Sequence, residues 1–100
     1  MTLKVTKENF KQEVINADKP VLVDFYATWC GPCKMLSPVI EQISNERSDI
    51  KVVKIDVDEQ VELARQFGIM SIPTIMVIKD GKVASTTLGF KSKEAILAML

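Results

Sequence analysis

One apolar segment, Val21–Ala27, restricts most strongly what this chain can fold into. It has the length of a β-strand, and its nearly continuous apolar character is typical of a central strand covered on both faces. A strand of this kind predicts helices packed on both sides of its sheet. Asp24 alone interrupts the segment, and a carboxylate in that position is costly unless it has a partner or a function.

Hydrophobic periodicity predicts the other elements of an α/β fold. Strands are expected over residues 3–5, 51–57, 74–78 and 82–88, and helices after Thr6 and over about 32–46, 60–67 and 93–100. The order strand, helix, strand predicts a right-handed unit with parallel strands, whereas Asp80-Gly81 is a strong signal for an antiparallel hairpin. Together they predict a three-layer α/β/α domain with a central mixed sheet of about five strands and about four helices.

Helical spacing also predicts which side chains enter the core. The apolar face of the longest helix comprises Met35, Leu36, Val39, Ile40 and Ile43. The helix over about 60–67 contributes Val61, Leu63, Ala64 and Phe67. Among the methionines, we expect Met76 and Met99 to fill gaps in the core and Met70 to lie at the surface.

The composition narrows the class of protein. One hundred residues predict one domain, 1–100, that can bury a core without a metal or a disulfide. Lys plus Arg and Asp plus Glu number 13 each, so the chain lacks the basic excess typical of nucleic-acid or anionic-membrane binding. No segment approaches the roughly 18 apolar residues of a membrane span, and residues 1–8 contain no apolar leader region. We therefore expect a cytoplasmic protein without nucleic-acid or membrane partners.

Both cysteines lie in the segment Trp29-Cys30-Gly31-Pro32-Cys33. Two cysteines three positions apart at the opening of a helix lie one turn from each other, close enough to form a disulfide. As a brace the bond would be weak, since closing a loop of about four residues is worth roughly 2 kcal/mol, against about 4.7 for a hundred-residue loop. In a reducing compartment such a pair is more often catalytic, redox-sensing or metal-binding than structural.

The two thiols are predicted to have different roles. Cys30 lies where free amide N–H groups and the helix dipole favour a thiolate, so it is the candidate nucleophile, and the alternative is an inert buried thiol. Cys33, one turn inside the helix and more sheltered, is the candidate resolving thiol. A metal site is a further alternative, but the chain has no histidine and no second cysteine pair. Only a dimer sharing two pairs would complete a zinc or iron–sulfur site.

A strand that leads into C-x-x-C and a helix within a βαβ unit is typical of a thioredoxin-like redox site. Residues 25–34 read Phe-Tyr-Ala-Thr-Trp-Cys-Gly-Pro-Cys-Lys. With Asp24, Lys54, residues 71–74 (Ser-Ile-Pro-Thr) and Gly89, they make the whole chain resemble the thioredoxin family. The dipeptide between the cysteines is similar to that of thioredoxins and differs from those of more oxidising relatives. The resemblance implies a thioredoxin fold and a protein-disulfide reductase that acts by dithiol–disulfide exchange.

The resemblance also implies roles for two charged residues. Asp24 would lie beneath the cysteines and transfer protons to and from Cys33, with a pKa raised by burial. Lys54 would lie near this aspartate and moderate the rise of its pKa. From the residues alone, Asp24 at a sheet end in contact with solvent and Lys54 as a solvated strand lysine are the alternatives.

Pro73 marks the expected substrate side of the site. X-Pro bonds in folded proteins are mostly trans, but the resemblance implies a cis bond between Ile72 and Pro73, facing the cysteines. Ile72 would then offer its backbone to an extended substrate segment. The apolar rim expected around Cys30 consists of Trp29, Gly31, Pro32, Ile72, Pro73 and Gly89. A tryptophan of the core is the alternative interpretation of Trp29.

The partners expected from the family follow the same chemistry. The resemblance implies a monomer with no bound cofactor, re-reduced by a thioredoxin reductase that draws electrons from NADPH. Its clients by analogy are ribonucleotide reductase, peroxiredoxin and methionine sulfoxide reductase. Tyr26 and Phe90 depart from the commonest family pattern, and Phe90 bears on the choice of partner. The alternatives are a specialised redox partner of one reductase, a protein with an oxidative role, or a non-catalytic binding subunit.

Overall fold

A computed structural model describes residues 2–100, with a five-stranded sheet at its centre. The strands are β1 (Leu3–Lys4), β2 (Val21–Tyr26), β3 (Lys51–Asp56), β4 (Thr74–Lys79) and β5 (Lys82–Leu88). They lie in the order β1-β3-β2-β4-β5, which places the apolar segment of β2 in the middle of the sheet.

The sheet is mixed, as predicted. Strand β3 is parallel to both β1 and β2, whereas β4 is antiparallel to both β2 and β5. In the register of β2 and β3, Asp24 lies opposite Lys54. The β4–β5 hairpin turns at Asp80-Gly81, where both residues have positive φ angles of 52° and 75°. This conformation is the one that an Asp-Gly hairpin turn requires, so the predicted turn is confirmed.

Four helical segments cover the sheet. They are a short π-helix (Lys11–Ile15), α1 (Gly31–Glu46), α2 (Val61–Gln66) and α3 (Lys93–Leu97). The predicted number of helices is confirmed, and the observed bounds of α1 and α2 agree with the predicted bounds to within one residue. Pro32 lies in the first turn of α1, where a missing N–H costs no helical hydrogen bond.

Two helix ends differ from the prediction. Thr6 does not cap the first helix; its backbone N–H donates to Asn9 Oδ1 at 2.7 Å, so residues 7–9 form a turn before the π-helix begins. At the other end, Ser92 Oγ accepts from the Ala95 N–H at 3.2 Å, which confirms the predicted cap of α3. However, α3 ends at Leu97, because the last residues tighten into i to i+3 hydrogen bonds such as Leu100 N–H to Leu97 O.

Alternate residues of β2 pack into two separate hydrophobic layers. On one face, Val21, Val23 and Phe25 pack with residues of the π-helix and α2, including Val14 and Leu63. On the other face, Leu22 packs with residues of α1 and α3: Leu36, Ile40, Ile43 and Ile96. The three-layer α/β/α prediction is therefore confirmed, and its cause is the double coverage that an apolar central strand requires.

Some individual predictions of core residues are wrong. Met35 is 65% exposed and Val61 is also exposed, although each belongs to an apolar pattern along its helix. The buried face of α1 passes through Leu36, Ile40 and Ile43, and the neighbouring position 35 points away from it. Met76 is buried and Met70 is almost fully exposed, as expected.

The contrast between adjacent positions 35 and 36 gives a test of this packing. Leu36→Ala should lower the free energy of unfolding by about 2 to 5 kcal/mol, because it leaves a cavity in the layer under α1. Met35→Ala on the same helix should change it by less than about 0.5 kcal/mol, since the side chain is largely exposed. Urea denaturation followed by circular dichroism measures both, and equal losses would show that α1 is rotated relative to this description.

Candidate active site

The cysteine pair lies at the junction between β2 and α1. Strand β2 ends at Tyr26, and four residues later the chain enters α1 with Cys30 as the N-cap, in an extended conformation. The pair forms a disulfide, with a Cα–Cα distance of 5.2 Å. The backbone N–H of Cys33 donates to Cys30 Sγ at 3.2 Å. The start of a 16-residue helix is a favourable position for a thiolate, because its free N–H groups and dipole stabilise negative charge.

Burial does not separate the two cysteines, but their neighbours do. Both residues are 4% exposed, so the expected greater shelter of Cys33 is not seen. Cys30 Sγ lies 4.0 Å from the carbonyl oxygen of Ile72, on the side where the cis bond precedes Pro73. Cys33 instead lines a partly open cavity with Asp24 and Lys54. The two sulfurs therefore lie next to different surroundings, one next to a backbone carbonyl and one next to ionisable groups.

The cavity beneath Cys33 has a volume of 220 Å³. Its lining combines β2, β3 and the first turns of α1: Asp24, Tyr26, Ala27, Thr28, Cys33, Lys34, Ser37 and Lys54. A cavity of this size that is lined by a carboxyl group and a lysine side chain has room for water between the carboxylate and the thiol. The site thus brings together the predicted proton-transfer residue, the predicted tuning lysine and the predicted resolving thiol.

Asp24 is the buried ionisable group of this cavity. Its Oδ1 has no hydrogen-bond partner among residues 2–100. Its side chain lies on the α1 face of the sheet, where it lines the cavity with residues of α1. Desolvation raises the pKa of Asp24 from 3.8 to about 7, and the positive charge of Lys54 opposes that rise. A carboxyl group with this pKa exchanges a proton readily near neutral pH.

The rim around Cys30 contains an exposed tryptophan. Trp29 is 69% exposed, which rules out the interpretation of a core tryptophan. Its indole N–H donates to Asp58 Oδ2 at 2.7 Å. Trp29 and Ile72 line the same surface pocket, and the Ile72–Pro73 peptide bond is cis.

Gly89 borders the segment that contains the cis bond. The backbone N–H of Gly89 donates to the Pro73 carbonyl oxygen at 2.8 Å, and its φ of +83° is one that residues with a Cβ rarely adopt. Gly31 and Pro32 lie in the first turn of α1, directly after Cys30. The six-residue rim as a substrate surface stays a prediction. Phe90, next to Gly89, is also exposed.

For three residues of the site, no role was predicted from the sequence. Asp58 holds the indole of Trp29, and Asp56 is buried at the end of β3, where its Oδ1 accepts from the N–H groups of Asp58 and Glu59 at 2.9 and 3.3 Å. An aspartate two residues before another turn residue is a recognisable Asx-turn signal. Tyr26, noted in the sequence only as a departure from the commonest family pattern, lines the cavity and lies under the Lys54 ammonium.

The structure also bears on the other classes of site. Within the described residues, no group of three or more His, Cys, Asp or Glu side chains is positioned to hold a metal ion. Among the helices of residues 2–100, none is both long and apolar enough to cross a membrane.

A cysteine pair that forms a disulfide at the start of a helix, on a mixed sheet of this order, defines a thiol–disulfide oxidoreductase. The sequence model of the family described as "Thioredoxin" matches residues 1–100. The thioredoxin of Mycobacterium tuberculosis (strain ATCC 25618 / H37Rv) is 51% identical over 100 residues, covering 99% of this chain and 86% of the relative. That of Bacillus subtilis (strain 168) is 52% identical over 95 residues, covering 94% and 89%. That of Porphyra purpurea is 51% identical over 98 residues, covering 97% and 92%.

The chain belongs to the thioredoxin family. Its architecture is the thioredoxin fold, and its activity is that of a protein-disulfide oxidoreductase. Dithiol–disulfide exchange at Cys30 and Cys33 is the chemistry of the site, as the family and the bond between these residues both indicate.

The raised pKa of Asp24 predicts how stability depends on pH. Between about pH 4 and pH 7 the folded chain binds a proton that the unfolded chain releases, so the stability of the folded state falls as pH rises. Above about pH 8 the penalty for the ionised, buried carboxylate reaches about 4 kcal/mol. Asp24→Asn should therefore be more stable than the parent above about pH 8 and nearly equal to it below about pH 4.

Urea denaturation of the disulfide form at a series of pH values measures this difference. Asp58→Asn is the matched control, because that carboxylate lies at the rim, outside the cavity. A pH-independent difference between the parent and Asp24→Asn would contradict the prediction.

Proposed function

We propose that this chain is a reductant of protein disulfides that maintains thiol redox balance in the cytoplasm. The observation that supports the proposal is that the two cysteines of the pair have different surroundings. Cys30 lies at the helix start beside the Ile72 carbonyl, and Cys33 lines the cavity of Asp24. One sulfur is thus suited to meet a substrate and the other to lose and regain a proton.

The proposed reaction has two exchange steps. In the first, the Cys30 thiolate attacks one sulfur of the client disulfide; the client S–S bond breaks, a mixed disulfide forms, and the released client thiolate takes up a proton. In the second, the Cys33 thiol gives its proton to Asp24 and its sulfur attacks Cys30 Sγ. The mixed disulfide then breaks, the second client sulfur leaves as a thiolate, and it takes up a proton from solvent while Asp24 releases the proton of Cys33 to solvent. The client gains two electrons and two protons, and the cysteine pair is oxidised to its disulfide.

Asp24 suits the proton transfer of the second step. A general acid or base is most effective when its pKa lies near the working pH, and the pKa of Asp24 is about 7. Its partnerless Oδ1 and the shared cavity support a path to Cys33, directly or through water. In this proposal Lys54 has a tuning role, because its positive charge lowers the pKa of Asp24.

The rim is proposed to hold an extended segment of the client across Cys30. The carbonyl oxygen of Ile72 is an acceptor within 4.0 Å of the attacking sulfur, so a client backbone N–H near its cysteine can donate to it. Backbone pairing of this kind selects little by side chain. The apolar surface beside it comprises Trp29, Gly31, Pro32, Pro73 and Gly89.

The remaining features are proposed from the family. Residues 1–100 would act as one domain and as a monomer, in the cytoplasm, without a bound cofactor. Electrons would come from NADPH through a thioredoxin reductase, which makes the chain an electron carrier. The proposed clients are ribonucleotide reductase, peroxiredoxin and methionine sulfoxide reductase.

Single cysteine variants test the two roles separately. Cys33→Ser should accumulate a stable mixed disulfide with a model protein disulfide, because the resolving thiol is missing, whereas Cys30→Ser should form none. Mass spectrometry of non-reduced samples measures the adducts. Trapping through Cys33 in the Cys30→Ser variant would reverse the assignment. Full activity of both variants in a partner-binding assay, without turnover, would favour a binding subunit.

The reduction potential tests the direction of electron flow. Equilibration of the pair against a glutathione series should give about −270 mV, the general value for thioredoxins, because a reductant must hold its disulfide form stable. A value near about −120 mV, typical of strongly oxidising relatives, would overturn the proposed reductive role. The Cys30→Ser, Cys33→Ser double variant provides the baseline signal.

A further inference from the structure

The ammonium group of Lys54 has two competing neighbours on the same face of the sheet. Asp24 lies opposite Lys54 in the register of β2 and β3, and Tyr26 lies two residues further along β2, on the same side as Asp24. Lys54 Nζ lies 5.9 Å from the centroid of the Tyr26 ring. Among the described residues, no ion pair within 4.0 Å joins Lys54 to Asp24.

An aromatic face and a carboxylate both attract a lysine ammonium. The ring attracts it through its quadrupole at distances up to about 6 Å. An ionised carboxylate attracts the ammonium more strongly than the ring does. A neutral carboxylic acid carries no charge and attracts it far less. The Lys54 ammonium therefore has a favourable position on the ring throughout the part of the cycle in which Asp24 holds a proton.

We propose that Tyr26 is a positioning residue whose ring keeps the Lys54 ammonium away from Asp24. This inference rests on the proposed proton role of Asp24. If the ammonium closed onto the carboxylate, the ion pair would stabilise the charged form of Asp24 and make it a weaker base toward the Cys33 thiol. With the ammonium on the ring, the charge of Lys54 is close enough to limit the effect of burial on Asp24 but does not cancel it. The Tyr26 ring thus sets how strongly the charge of Lys54 lowers the pKa of Asp24.

Other charged groups face this cluster from every element around it. Lys4 of β1 lies beside Lys54 in the sheet, and its ammonium pairs with Glu59 at 2.8 Å. Asp56 follows on β3, and from α1 Lys34 lines the cavity while Glu41 lies within the field of Lys54. None of these groups is replaced in the variants of positions 26 and 54. Their contributions therefore cancel in a double-mutant comparison.

The experiment is a double-mutant cycle read at Asp24. The variants are Tyr26→Leu, Lys54→Met and their combination, and the carbon-13 signal of the Asp24 carboxyl is followed by NMR between about pH 4 and pH 9 in the disulfide form. Tyr26→Leu alone should lower the proton affinity of Asp24 about tenfold or more, because the freed ammonium closes onto the carboxylate. In the Lys54→Met background, the same change should alter it less than about twofold.

Conservative variants separate the ring from the space that it fills. Tyr26→Phe keeps the aromatic face and should leave the proton affinity of Asp24 unchanged. Tyr26→Met removes the face with a flexible side chain of similar length and should act as Tyr26→Leu does, which provides a second test if the leucine variant folds poorly. The dispersion of the amide signals reports folding in each case.

Two results would overturn the proposal. A drop in the proton affinity of Asp24 that persists in the Lys54→Met background would show that removing Tyr26 acts by admitting water to the cavity. No drop with either Tyr26→Leu or Tyr26→Met would show that the ring does not hold the ammonium. The proton role of Asp24 is tested apart from this: if Asp24→Asn leaves the rate and pH profile of exchange unchanged, that role fails, while the titration result still decides the ring contact.

Discussion

Burial of β2 on both faces is the constraint on which the rest of this structure depends. The strand pairs with β3 on one edge and β4 on the other, and its alternate side chains enter the two hydrophobic layers. Because β2 pairs with a strand on each edge, the residues that follow its end are anchored on both sides. The start of α1, and with it the cysteine pair, is positioned by the central strand of the sheet.

The same burial supplies the chemistry beneath the pair. A carboxyl in the middle of an apolar strand has its charged form destabilised, and this raises the pKa of Asp24 into the neutral range. The cost in stability and the benefit for proton transfer have one physical origin. Lys54 limits that cost from the neighbouring strand, and the ring of Tyr26 lies where it affects how closely the ammonium can approach.

Most of the fold could be predicted from local patterns in the sequence. Strand length, helical spacing and the Asp80-Gly81 turn predicted the elements and their layers, because these depend on neighbours within a few residues. Met35 was misjudged because a pattern of apolar residues does not show how a helix is rotated against its sheet; that depends on packing with Leu22 and the other residues of the layer. The end of α3 depended on hydrogen bonds that tighten at the chain end.

The spacing of Cys30 and Cys33 by itself indicated a pair that can form and break a disulfide, because two thiols one helical turn apart lie within bonding distance. The strand and helix around the pair, also readable in the sequence, favoured disulfide exchange over a metal site. Likewise, the position of Asp24 in an apolar strand showed that its charged form is costly to bury unless it has a partner or a function. Only the tertiary structure decided which partners these groups meet. Trp29 is held by Asp58 and Lys54 lies over Tyr26, in pairs separated by almost thirty residues. Such contacts arise from the packing of β2 against β3, and no local pattern in the sequence records them.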